Sequence, residues 1–62
     1  MAWVNKRYGV KAKRGARVRY TGSGFDEFGT IRSASGGYLN IQLDGLKITN
    51  PFHPTWKLEI LP

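Results

Sequence analysis

Apolar and polar residues alternate along several short stretches of this chain. From Ala16 to Thr21 the side chains of Ala16, Val18 and Tyr20 fall on one side, and those of Arg17, Arg19 and Thr21 on the other. A period of two predicts a half-buried strand with both arginines outward. Gly29 to Ala34 predicts a second strand, with Ile31 inward and Thr30 and Arg32 outward. Tyr38 to Leu43 is the clearest: Leu39, Ile41 and Leu43 face one way, Tyr38, Asn40 and Gln42 the other. Leu46 to Asn50 predicts a fourth strand. Trp56 to Leu61 predicts a fifth, with Trp56, Leu58 and Ile60 on one face. The expected core is Val18, Tyr20, Ile31, Leu39, Ile41, Leu43, Ile48, Trp56, Leu58 and Ile60.

The breaks between these stretches carry turn chemistry. Eight glycines and three prolines leave no room for a long helix. Residues 21–24 (TGSG) and Phe25 to Phe28 form a loop. Ser35-Gly36-Gly37 predicts a tight turn able to supply positive φ. Asp44-Gly45 predicts a two-residue type I′ hairpin between the third and fourth strands. Pro51 to Thr55 holds two prolines and predicts a turn or short 3₁₀ segment. Five short strands joined by such turns predict an all-β domain, a small barrel over residues 15–62 whose closure removes exposed edges.

Residues 1–14 do not fit the alternation. Trp3, Val4, Tyr8 and Val10 are irregularly spaced among dense charges. The segment reads as a flexible basic arm, either a solvated tail with a side chain or two tucked onto the barrel, or an arm that orders on a partner. Removing residues 1–9 is then expected to leave the barrel folded.

Charge sharpens the picture. Seven of the ten basic residues lie in the first nineteen positions, and no acid precedes Asp26. Residues 26–62 hold three basic and four acidic residues, so the whole net charge of +6 sits at one end. A field of this kind attracts polyanions, and nucleic acid is the first to consider. Lys11, Lys13, Arg14, Arg17, Arg19 and Arg32 are the candidate phosphate contacts, on the outer face of the first two strands and the arm that feeds into it. The plain alternative is a cationic face that keeps a small domain soluble. Phe25, Tyr38 and Phe52 are candidate stacking or peptide contacts, while Tyr20 and Trp56 are expected to be largely buried.

Other chemistry finds little footing. The chain has no cysteine, so neither a disulfide nor a thiolate metal site can support it. His53 is the only histidine and reads as a turn residue. Asp26 and Glu27 lack a third ligand or base. TGSG lacks the lysine and the strand–loop–helix setting of a phosphate-gripping loop. No enzyme and no cofactor are expected. No apolar run reaches the roughly 20 residues of a membrane span, and no signal-peptide run is evident, so a cytoplasmic protein without membrane contact is expected.

Two resemblances bear on the fold. The stretch KRGARVRYTGSGFDEFGTIRSASGGYLNIQLDG resembles the KOW-type motif of ribosomal and transcription-elongation barrels. Its roles fall on Gly15, Val18, Gly22 or Gly24, Gly29 with Ile31, and Leu39 to Gly45; Tyr20 stands where the family usually has valine. PFHPTWKLEIL resembles the end of SH3-like barrels, in which a proline-bearing 3₁₀ turn leads into the closing strand. The HPTW-x-LE ending also resembles short uncharacterised bacteriophage and prophage proteins. Together these imply a five-stranded SH3-like barrel in a phage or bacterial setting.

The function expected from these features is nucleic-acid binding, mainly through phosphates and with weak sequence preference. DNA and RNA remain equal candidates. The alternative is a protein-interaction or assembly module that uses an aromatic groove.

Overall fold

Short alternating stretches cut by glycine and proline fold here into five strands and one helix. The computed structural model describes residues 1–62. Its elements are α1 (Ala2–Tyr8), β1 (Arg17–Tyr20), β2 (Glu27–Ser35), β3 (Tyr38–Leu43), β4 (Asn50–Phe52) and β5 (Leu58–Ile60). The strands form one antiparallel sheet in the order β4-β3-β2-β1-β5. The mostly-β class expected from the pattern holds. The sheet stays open, because no pairing joins β4 to β5.

The alternation sets which side chains are buried. Val18, Ile31, Leu39 and Ile41 are fully buried on the inner face. The outer face carries Arg17 beside Thr30, and Thr30 beside Gln42. β2 contains a bulge: Ile31 pairs with Ile41, but Ser33 pairs with Asn40. Arg32 is the extra residue, and the slip brings Ala34 opposite Leu39. A bulge bends its strand and strengthens the local twist. Here it lets one long strand serve both halves of the sheet.

The N-terminal segment departs from the expected arm. Residues 2–8 form α1, and Val4 is only 3% exposed. Gly9 ends the helix in the left-handed conformation, with its N–H donating to the Asn5 carbonyl. The Asn5 side chain then donates to the Ala12 carbonyl (2.9 Å) and accepts from the Ala12 N–H (2.8 Å). This pair folds residues 9–12 back and buries Ala12. Val4, Ala12 and Ala16 join the sheet residues in one core. The radius of gyration is 10.4 Å, close to the value of about 10.6 Å for a fully compact chain of this size.

The C-terminal half departs in three places. The fourth strand is Asn50–Phe52 rather than Leu46–Asn50. Its register pairs Ile41 with Asn50, so residues 44–49 form a loop and Ile48 is 65% exposed. Pro51 lies within β4, at the sheet edge, where a missing N–H is tolerated. The Asp44-Gly45 turn is not type I′, since only Gly45 has positive φ and type I′ needs it at both residues. Gly36 and Gly37 do both have positive φ, 56° and 83°, between the paired Ser35 and Tyr38. The primed hairpin therefore joins β2 to β3. Finally, β5 begins at Leu58, because Lys57 is left-handed (φ 51°) and breaks the extended run. Trp56 thus falls in the preceding turn and is exposed rather than in the core.

Candidate nucleic-acid interface

The six basic residues singled out by charge divide into pairs with different surroundings. Arg17 and Arg19 point outward from β1, as the alternation requires, but neither stands free. Arg17 donates to both carboxylate oxygens of Asp44, at 2.8 and 2.5 Å, and to the Thr30 hydroxyl at 2.9 Å. Hydrogen bonding to Asp44 raises the Arg17 pKa above its ordinary value, and bonding to Arg17 lowers that of Asp44. Arg19 lies opposite Glu59 in the β1–β5 pairing and is ion-paired with it, with Asp26 also 4.0 Å away. Three of the four acids of the chain are thus spent on two arginines.

The remaining cations have no carboxylate within ion-pair distance. Arg14 reaches across from the segment before β1, and its Nε donates to the Arg32 carbonyl at 3.0 Å. The Arg32 Nε donates to Gln42 Oε1 at 2.9 Å. The bulge at Arg32 and the turn at Arg14 therefore bring two guanidinium groups to one region of the outer face. Lys11 and Lys13 border a groove of about 640 Å³ with an apolar floor that includes Val10, Pro54, Leu58 and Ile60.

The aromatic residues sort differently from expectation. Phe25 and Tyr38 are exposed. Phe52 is partly buried instead, against the core and edge-on to Tyr20 at 4.8 Å between ring centres. Tyr20 in turn packs beside Trp56, at 6.3 Å. Both rings crowd over Gly22, where an added Cβ would lie 2.2 Å from Tyr20 Oη and 2.6 Å from Trp56 Cζ3. The Lys57 ammonium lies 5.7 Å from the centre of the Trp56 ring.

A second aromatic cluster joins Trp3 to Tyr8 at 6.4 Å and Tyr8 to His53 at 5.0 Å. His53 also holds its own turn: Nδ1 accepts from the backbone N–H groups of Thr55 and Trp56, at 3.1 and 3.3 Å. Trp3, Lys6 and Arg7 together line a shallow concavity of about 430 Å³ on α1. Reading residues 1–14 as an arm missed this group. Its signal was the i, i+3, i+4 spacing of those three residues ahead of Gly9, which places them on one helix face.

No group of three or more His, Asp or Glu side chains is placed to hold a metal ion, and no helix is long and apolar enough to cross a membrane. No protein-family model, curated protein or solved structure matches the chain.

Proposed function

We propose that the protein is a non-enzymatic nucleic-acid-binding module that acts mainly through phosphate contacts. One observation carries the reading. Of the eight Lys and Arg side chains without a carboxylate partner, six lie on residues 6–14 and at Arg32 and the other two are Lys47 and Lys57, while Arg17 and Arg19 are neutralised by acids from β5 and two loops. Val4 and Ala12 anchor that N-terminal segment in the core. A charged segment held in place loses little conformational freedom on binding, which favours affinity. The working set is therefore Lys6, Arg7, Lys11, Lys13, Arg14 and Arg32, with Arg17 and Arg19 in reserve. The SH3-like reading of the fold belongs to the same proposal. It is supported by five short antiparallel strands, the return of β5 onto β1, and the proline-bearing turn before β5.

The test is binding of labelled DNA and RNA across a salt series. Each phosphate contact contributes about 0.9 to the log–log salt slope for duplex DNA and about 0.7 for a single strand. Reversing Lys11 and Lys13 to Glu should weaken binding more than reversing Arg17 and Arg19. Absence of binding to any DNA or RNA at about 50 mM salt would refute the proposal.

A second reading, a protein-interaction or assembly module, is favoured by one feature. Leu46 and Ile48 are exposed in the loop that precedes β4, an edge strand with one side unpaired. Such a sheet edge can accept an extended peptide. Salt separates the two readings, because an apolar contact of that kind tolerates about 0.5 M salt and phosphate binding does not.

A further inference from the structure

Both tryptophans of this small chain lie outside its core. Trp3 is 61% exposed and Trp56 is 55% exposed. A domain this small has a thin core and gains most from its largest apolar side chains. Leaving both at the surface forgoes that stabilisation. Each, moreover, stands beside cations that have no carboxylate partner: Lys6 and Arg7 share the concavity of Trp3, and Lys57 lies over Trp56.

Lys57 adds a second observation. It is the one non-glycine residue with positive φ. That backbone conformation favours glycine or asparagine, and a lysine there is strained. The Lys57 carbonyl accepts from the Thr21 N–H at 2.9 Å, an interaction glycine would preserve. The fold therefore has no need of the lysine side chain, which projects over the exposed indole.

An exposed aromatic ring near a cation that has no carboxylate partner matches a nucleotide whose base is unstacked. The base stacks on the ring, and its phosphate meets the cation. Duplex bases are stacked on one another and offer no such face. We infer that the nucleic acid is single-stranded, with bases stacking on Trp3 and Trp56 and phosphates held by Lys6, Arg7 and Lys57. The inference rests on the nucleic-acid reading above and narrows it to one substrate class.

The experiment is a tryptophan-fluorescence titration of the full chain at about 50 mM salt. Short oligothymidylate, oligouridylate, a duplex of the same length and heparin are compared. Single strands are expected to quench the emission and to bind more tightly than the duplex. Trp3→Ala and Trp56→Ala should each weaken single-strand binding by about 5-fold or more, and Trp3→Phe should retain most of it. Lys57→Gly should lower the single-strand salt slope by about 0.7 without lowering the melting temperature. That variant and Trp3→Phe keep the test decisive if an alanine variant is unstable. A duplex or heparin bound as tightly as the single strand would overturn the inference and leave polyanion binding standing. So would single-strand binding indifferent to both alanine substitutions. No binding to any nucleic acid would overturn this inference and the broader reading together.

Discussion

Asp44, in the turn after β3, grips Arg17 on β1 with both carboxylate oxygens, reaching across β2 to do so. The pair neutralises one of the two arginines that β1 turns to the outer face. Asp44→Asn should release it. Affinity for nucleic acid at low salt should then rise, and the salt slope should steepen by up to about 0.9 for a duplex or 0.7 for a single strand. Glu59→Gln should do less, since Asp26 remains 4.0 Å from Arg19. A salt series on each variant against the parent checks the order. An unchanged slope in Asp44→Asn would mean that phosphates never reach this part of the sheet.

The same pair predicts a pH dependence. Hydrogen bonding from Arg17 holds the Asp44 carboxyl below its ordinary value of 3.8. The unfolded chain therefore takes up the Asp44 proton at higher pH than the folded one. The contribution of the pair is full above the ordinary carboxylate range and is lost as pH falls through the lowered folded value. Melting curves of parent and Asp44→Asn should differ near neutrality and converge in strong acid. Both partners are exposed, so the gap should be small and should shrink with added salt.

The centre of the sheet was legible in the sequence because there the hydrophobic period and the burial agree. Val18, Ile31, Leu39 and Ile41 alternate cleanly and are the four fully buried strand side chains. Local rules failed where a tertiary contact overrode them. Asp44-Gly45 reads as a type I′ hairpin, yet Asp44 is engaged with Arg17 two strands away and keeps negative φ. Trp56 continues the alternation of β5 on paper, but left-handed Lys57 interrupts it. The helix hid behind its charge: Lys6 and Arg7 look like a solvated tail until Val4 and Gly9 are read as a buried face and a cap. The candidate interface was legible as charge but not as availability. Sequence spacing could not show that Asp26, Asp44 and Glu59 converge on Arg17 and Arg19.

Close approach in the sheet gives a stability prediction. Gly29 is paired with Val18 on one side and Leu43 on the other. A Cβ there would lie 2.8 Å from the Gln42 carbonyl oxygen and 2.9 Å from Ile41 Cγ2. The first neighbour is backbone and cannot turn aside. Gly29→Ala should cost about 1–3 kcal/mol through overpacking, lowering the melting temperature by about 4–8 °C per kcal/mol. Gly15→Ala provides the contrast, since a Cβ there meets nothing within 4 Å and its effect should come only from its φ of 88°. Thermal melts of the two variants should rank Gly29→Ala as the more damaging.

The N-terminal segment gives the sharpest prediction, because it is both core and interface. Val4 is buried and Asn5 ties Ala12 to the helix with two hydrogen bonds. Val4→Ala removes about two methylene equivalents from a thin core and should cost about 1–2 kcal/mol, with nucleic-acid affinity little changed while the protein stays folded. Deleting residues 1–9 removes Val4, the Asn5 clamp and the Gly9 cap together. It should lower the melting temperature more than Val4→Ala does, or unfold the domain. The charges of the same segment can be tested apart from its packing. Lys6 and Arg7 are exposed and without carboxylate partners, and Arg7 lies only 5.8 Å from the Tyr8 ring centre, so replacing both with Gln should lower the melting temperature far less than the deletion does. The replacement should flatten the salt slope by about 1.4 for a single strand, two contacts at about 0.7 each. A deletion that melts like the parent would show that α1 contributes nothing to the core. A charge-neutral pair with an unchanged slope would remove α1 from the interface. The two measurements therefore separate the structural role of the segment from its binding role.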